Sequence, residues 1–213
     1  MEPMVDFFTE RVKLYDRHML EEVEGCKEGY RRMAQLLPQD CQSLLDLGCG
    51  TGLELDEIFK RFPQLRVTGI ELTQAMLEEL RRKHPDQALT LLCGSYFDVD
   101  LGRDYDAAVS FQTLHHFSHG EKLGLYQRLC RALKPSGVYL ECDYMVESEE
   151  EEALYFRENE RLRREQGIPP GAFYHYDTPC TVAHQMELLQ KAGFQKVVCR
   201  WRQENTTLLT AEK

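Results

Sequence analysis

A chain of 213 residues, 42% apolar and 29% charged, can bury one sizeable core and has the composition of an ordinary globular domain, which excludes a fibrous or disordered chain. Its 26 basic and 36 acidic residues leave a net charge of −10, so partners held by broad phosphate neutralisation, nucleic acid and anionic membrane, are not expected. No run approaches the roughly 20 apolar residues of a spanning helix, and Met1–Thr9 has neither a basic nor an apolar leader region, so a cytoplasmic protein is expected.

In chain order, Phe7, Phe8, Val12 and Tyr15 recur at helical spacing. From Asp16 to Leu37 a second stripe follows (Met19, Leu20, Val23, Cys26, Tyr30, Met33, Ala34, Leu37), read as one helix closed by Pro38. Ser43–Leu47 reads as a buried strand that runs into Gly48-Cys49-Gly50-Thr51-Gly52, and a helix through Phe62 follows. Leu65–Ile70, Leu89–Cys93 and Asp106–Phe111 read as strands, with a helix from Thr73 to about His84. A helix from about Gly120 to Leu133 and a Lys134–Gly137 turn lead to a fifth strand, Val138–Cys142. This alternation predicts a parallel sheet with helices on both faces.

Beyond the fifth strand, Glu147–Gln166 reads as a charged, solvated helix whose acidic opening suits the helix dipole and which Ser148 caps. Gly167–Pro179 reads as a loop, Cys180–Ala192 as a helix, and Phe194–Trp201 and Asn205–Ala211 as terminal strands. The eight cysteines form no CxxC pair and stand at no zinc-ligand spacing with histidine, so they are expected to be reduced and structural.

The strongest local signal is Leu44–Gly52. A buried strand followed at once by three spaced glycines lets the backbone turn tightly and approach a ligand closely. Glu71, nineteen residues beyond Gly52 at the tip of the next strand, can accept both hydroxyls of a ribose. A dinucleotide fingerprint would place glycine where Leu53 stands, and Asp46 just before the turn would repel a pyrophosphate. The same carboxylate attracts an ammonium, so a nicotinamide oxidoreductase is disfavoured against a ligand carrying an amino-acid moiety.

The runs LLDLGCGTG, VTGIELTQAML, YDAAVSFQTLHHF and LKPSGVYLECDY, in that order, resemble class I S-adenosylmethionine-dependent methyltransferases of the small-molecule type. The resemblance covers Ser43 to Cys142, and FFTERVKLYDRHM resembles the family's aromatic N-terminal lid. It implies an α/β fold: a doubly wound, mostly parallel seven-stranded Rossmann-like sheet with helices on both faces and an antiparallel last strand. It also implies one methyltransferase domain over 1–213, with a helical lid (1–40), a cofactor core (41–146), an insert near the acceptor (147–179) and a C-terminal helix and strands (180–213). The implied activity is methyl transfer from S-adenosylmethionine, leaving S-adenosylhomocysteine, to a small-molecule acceptor, by a monomer or homodimer. The alternatives are a non-catalytic binding or regulatory module and another S-adenosylmethionine-using transferase.

Carried over residue by residue, Gly48, Gly50 and Gly52 would wrap the methionine end, Asp46 would order its amino group and Glu71 would hold the ribose. Leu72 and Met76 would lie near the adenine. Ser95 stands where relatives place an aspartate, so Tyr96 or Phe97 is expected to stack instead. Gln112 and His115 would flank the methionine portion, and Tyr15 would cover the cofactor. No metal is expected: His115 and His116, read as strand neighbours, would face opposite ways with no carboxylate beside them. Acceptor and catalytic candidates are Asp143, Tyr144 and His175, with Tyr174, Tyr176 and Asp177 beside them. FYHYD packing its aromatics onto the core is an equal alternative. An acidic cleft there would favour a cationic or neutral polar acceptor.

Overall fold

The computed structural model describes all 213 residues. A two-residue strand β1 (Glu2–Pro3) enters helix α1 (Met4–Glu21), followed by α2 (Cys26–Leu36) and β2 (Ser43–Leu47). Next come α3 (Leu53–Arg61), β3 (Arg66–Glu71), α4 (Gln74–Lys83), β4 (Leu89–Cys93), β5 (Tyr105–Phe111), α5 (His119–Ala132) and β6 (Leu133–Tyr144). The chain ends with α6 (Glu149–Glu165), β7 (Tyr174–His175), α7 (Val182–Lys191), β8 (Lys196–Gln203) and β9 (Thr206–Glu212).

Seven strands form one sheet in the order β4-β3-β2-β5-β6-β9-β8. β2, β3, β4, β5 and β6 run parallel, whereas β9 lies antiparallel to both β6 and β8. This is the doubly wound, mostly parallel arrangement expected, with the last strand reversed. The order turns back at β2, between β3 and β5, and in such sheets ligands bind at the carboxyl ends of the strands at this switch point. Apolar side chains from both faces make two clusters. One joins α5 and α7 to the sheet through Leu125, Leu129, Leu188 and Leu189. The other joins α2, α3 and α4 through Tyr30, Met33, Ile58 and Leu80. Tyr30 stacks on Phe111 at 3.8 Å, a pair worth about 0.5–1.5 kcal/mol beyond its buried area. No helix is long and apolar enough to cross a membrane.

Three local departures from the sequence reading bear on the site. The single helix expected over Asp16–Leu37 is two, parted at Gly25, whose φ of +83° starts α2 afresh. A Cβ there would lie 2.9 Å from the Thr206 Cβ, so only glycine lets α2 begin against the C-terminal hairpin. The Lys134–Gly137 turn is absorbed into β6 as an irregularity in its register with β5. Finally, β1 pairs antiparallel with β7, and the Met4 N–H donates to the Phe173 carbonyl, so the N-terminus is clasped to the 167–179 segment that read as plain loop.

Candidate active site

The glycine loop leaves β2 at the switch point. The N–H groups of Gly48 and Cys49 both donate to the Ile70 carbonyl, 2.8 and 3.2 Å, so the loop hooks over the end of β3. Gly48 has a φ of +70°, and a Cβ would fall 2.4 Å from the Thr113 Oγ1. Glu71 completes the turn: its carboxylate accepts from the N–H of Gly50 at 3.2 Å and of Thr73 at 2.9 Å.

These groups surround an inner cavity of about 50 Å³ lined by Tyr15, Gly48, Gly50, Glu71, Leu72, Met76, Ser95, Tyr96 and Gln112. Nine of the twelve residues expected at the cofactor are thus brought together. Three are not. Gly52 packs under the loop, where a Cβ would lie 2.3 Å from the Leu80 Cδ1, and it serves the start of α3. Asp46 is fully buried behind the loop, with neither oxygen hydrogen-bonded. His115 belongs to a second, outer cavity. Met4, Phe8, Phe111, Thr113, Phe117 and Phe173 also line the inner cavity; the clasp of α1 onto 173–175 brings in Phe8, from the aromatic stripe of the lid, with Met4 and Phe173, which no periodic signal announced. Phe97 stacks on Phe173 at 5.8 Å instead of lining the cavity, and the Ser95 hydroxyl is engaged by the Phe97 N–H at 3.1 Å.

A ligand in this pocket meets aromatic faces and, behind the loop, a cluster of three carboxyls. Asp46, Glu54 and Glu71 are all buried. Burial, opposed by the adjacent Glu54 carboxyl and reinforced by the charge of Glu71, pushes the Asp46 carboxyl up to about 7. Burial and the neighbouring Asp46 also hold the Glu54 carboxyl well above its ordinary value. Two ionised carboxylates cannot donate to each other, so the Asp46 oxygens and the Glu54 Oε1 stay unpartnered in the charged state. Such a set suits a cationic nucleoside bearing an ammonium and a sulfonium, and it repels a phosphate. Burial, and after it Glu54 and Glu71, hold the Tyr15 hydroxyl protonated. Tyr15 stands between the two cavities, and its helix is moored to the glycine loop by Asp16, which accepts from Thr51 and pairs with Lys83.

Gln112 and Phe8 also line both cavities. Gln112 adopts a φ of +49°, sparsely populated for a side-chain-bearing residue, with its N–H held by the Cys142 carbonyl at 2.8 Å. Its Nε2 donates to the Thr206 Oγ1 at 3.3 Å.

The outer cavity, about 820 Å³, is walled by α1, the β8–β9 hairpin and the turn after β5. His115 and His116 lie in that turn, not in a strand, with ring centroids 4.0 Å apart, and they are not alone. Asp143 and Asp177 stand beside them, contrary to the expectation that no carboxylate would. The Asp143 Oδ1 accepts from the His115 Nδ1 at 2.5 Å, and its two oxygens also hold the N–H groups of Leu114 and Tyr144. Asp143 is buried and lines neither cavity, so its carboxylate faces His115 and the backbone. Burial alone would lower the His115 pKa; the charge and hydrogen bond of Asp143, then Asp177, outweigh it and hold the imidazole above its ordinary value. The Asp177 Oδ1 lies 3.6 Å from the His115 Nε2 and 3.2 Å from the His116 Nδ1. His175 stacks on Phe7 at 3.6 Å, and burial drops its pKa to about 4, so it is neutral near pH 7. The Tyr144 hydroxyl meets that of Tyr155 at 2.8 Å. The wall is not simply acidic: Arg11 and Arg17 face it with Glu22, Glu24 and Glu204.

A glycine loop hooked over an acid-tipped strand, at the switch point of a doubly wound sheet, defines the Rossmann-like nucleoside-binding class. Residues 44–137 match the family described as a methyltransferase domain. The chain is 30% identical over 98 residues to the malonyl-[acyl-carrier protein] O-methyltransferase of Priestia megaterium, a match covering 46% of this chain and 35% of that enzyme. It is 37% identical over 101 residues to the dTDP-3-amino-3,4,6-trideoxy-alpha-D-glucopyranose N,N-dimethyltransferase of Streptomyces venezuelae, covering 46% and 41%. The matches thus span under half of those relatives' length. Among solved structures, a DhpI complex with S-adenosylhomocysteine shares the fold, with a TM-score of 0.73 at 16% identity over 97% of this chain and 93% of that one.

Proposed function

We propose that the protein binds S-adenosylmethionine in the inner cavity and transfers its methyl group to a small hydroxyl or amine acceptor in the outer one. The observation that carries this is the shared wall of the two cavities: Phe8, Tyr15 and Gln112 line both, so a donor beneath the glycine loop and an acceptor beside His115 would meet there. The Streptomyces venezuelae relative, named for N,N-dimethylation of an amino sugar, supports the amine class.

When bound, S-adenosylmethionine supplies an electrophilic methyl group on a sulfonium whose departure needs no acid. Glu71 would hold the ribose, and the loop N–H and C=O groups of Gly48 and Gly50 the amino-acid end, with the buried Asp46–Glu54 pair behind, whose ionisation a bound ammonium would favour. Leu72, Met76 and Tyr96 would flank the base. Tyr15 covers the junction and excludes water, and holding the acceptor in line contributes most of the rate, on the order of 7 kcal/mol or more. An acceptor that arrives protonated must lose its proton. His115 takes that proton at Nε2, while Asp143 fixes its Nδ1–H and stabilises the imidazolium. Asp177 orients the acceptor side of the same imidazole. His175, neutral and packed on Phe7, forms a wall.

Calorimetric titration with S-adenosylmethionine and S-adenosylhomocysteine, repeated on Glu71→Ala, tests the donor site. Saturable binding weakened by the substitution is expected, and a folded protein that binds neither nucleoside refutes the reading. Product mass over alcohols, phenols, amines and carboxylates tests the acceptor class, which fails if only carboxylates are methylated.

A further inference from the structure

Away from both cavities, the first turns of three helices bring nitrogen, oxygen and sulfur donors together. His119 opens α5, Glu152 lies in the first turn of α6 and His184 in the first turn of α7. The His119 Nε2 lies 2.7 Å from the Glu152 Oε1, and the His184 Nδ1 lies 2.8 Å from the same oxygen. Glu152 is buried, and its other oxygen is fixed by the Thr181 N–H at 2.7 Å. Cys180, also buried, brings its Sγ within 4.8 Å of the His119 and Glu152 donor atoms.

We propose that His119, Glu152, His184 and Cys180 form a binding site for a divalent transition cation of the zinc type, which ties α6 to α5 and α7.

The donor chemistry selects the ion. Two imidazoles, one carboxylate and one thiolate make a tetrahedral set suited to Zn²⁺ and poor for Mg²⁺ or Ca²⁺, which favour oxygen ligands. Both imidazoles converge on one carboxylate oxygen from different helices, so a small outward shift of each ring places a cation among them. The Thr181 N–H on Glu152 Oε2 is the kind of outer contact that orients a ligating carboxylate. Each imidazole presents a lone pair by carrying its proton on the other ring nitrogen. Cys180 gives up one proton to solvent, and its thiolate keeps the Lys122 ammonium, now 3.2 Å from Sγ, as a hydrogen-bond donor. The helix ends are positive and oppose a cation; the Glu152 carboxylate and the thiolate offset them. His119 and His184 are half-exposed, which gives the ion a path in. The consequence is mechanical. α6 begins the segment whose far end carries His175 and Asp177 to the outer cavity, so the ion would steady the acceptor wall without touching it.

Chelator-stripped protein is titrated with Zn²⁺ alone and with Co²⁺ alone, reading calorimetric stoichiometry, Co²⁺ visible absorption and the thermal midpoint. One equivalent should bind, with the intense absorption of a tetrahedral site, a sulfur-to-cobalt band lost in Cys180→Ser, and a raised midpoint. Glu152→Gln, and the half-exposed His119→Asn and His184→Asn should the former not fold, should each weaken binding by about tenfold or more. Equal binding by wild type and the folded His184→Asn variant, or no binding at all, overturns the proposal. Loss of binding in His116→Asn instead would put the ion in the outer cavity and overturn it equally.

Discussion

Asp143→Asn separates a positioning role from a purely structural one. The carboxylate is buried and accepts from three donors: His115 Nδ1, Tyr144 N and Leu114 N. An asparagine of the same shape has one oxygen. Whichever way the amide turns, its NH₂ confronts either the Leu114 N–H or the imidazole, leaving a buried donor unsatisfied at about 1–3 kcal/mol. Loss of the buried charge pair with His115 raises the cost to about 3–5 kcal/mol. At about 2–4 °C per kcal/mol for a chain this long, a cost of about 3 kcal/mol lowers the thermal midpoint by about 6–12 °C. Well below that midpoint the variant should still bind S-adenosylhomocysteine normally, because Asp143 lines neither cavity. Turnover should fall by about 10²–10⁴, the range for a misplaced general base. The pH profile carries a second signature. His115 acts as a base only when deprotonated, so wild-type turnover climbs with pH through a pKa held above the usual imidazole value. Without the Asp143 charge, burial wins, the pKa falls and the acidic limb moves to lower pH. Product mass against pH, with calorimetry as the folding control, decides it. A folded variant with wild-type turnover and an unmoved acidic limb refutes the dyad.

Gly48→Ala should harm the protein far more than Gly50→Ala. The first places a Cβ 2.4 Å from the Thr113 Oγ1 at a φ of +70°, the second meets nothing nearer than the Tyr15 ring at 3.7 Å. Losses of about 2–3 and about 1 kcal/mol are expected in denaturant unfolding, and the reverse order would show the loop is not packed this way. Glu54→Gln should stabilise the ligand-free protein by about 1 kcal/mol, since the new amide donates to an unpartnered Asp46 oxygen. Carboxyls whose folded pKa is raised lose stability as pH rises through it, so the gain should grow above about pH 7, where Asp46 ionises. A lower midpoint at alkaline pH counts against it. Acid should act through the opposite groups. Asp143, Asp177 and Glu152 lie below their ordinary values, where imidazole neighbours and backbone N–H donors outweigh burial. Their stabilisation is present above the unfolded carboxyl pKa, about 4, and is lost as pH falls below it. Melting curves from pH 5 to 2 should show a steep fall that Asp177→Asn flattens; a flat wild-type profile contradicts the pairing.

Legibility in the sequence followed the range of the interactions. Ser43–Leu47 with its glycines, Glu71 at the next strand tip, and the alternation through Cys142 are local patterns in which periodicity and backbone freedom coincide, so a parallel sheet with helices on both faces and the place of the glycine loop could be read from them. Asp46 was legible as an acid at the end of a buried strand, but not as the neighbour of Glu54, because α3 turns that glutamate back onto β2. Gly25 was masked by an apolar stripe running through it; contact with Thr206, 181 residues away in sequence, decides that break.

By itself the sequence determined the parallel sheet with helices on both faces and the place of the glycine loop, since these rest on periods of two and 3.6 residues and on conformations open to glycine. Tertiary structure decided which side chains meet across long gaps. His115 looked like a cofactor neighbour until β6 carried Asp143 behind it and the clasp of β1 on β7 set Asp177 before it. His119, Glu152, Cys180 and His184 share no ligand spacing along the chain and converge only because three helices begin at one place. Spacing encodes proximity within an element; proximity between elements depends on how their apolar faces pack, and no single segment carries that.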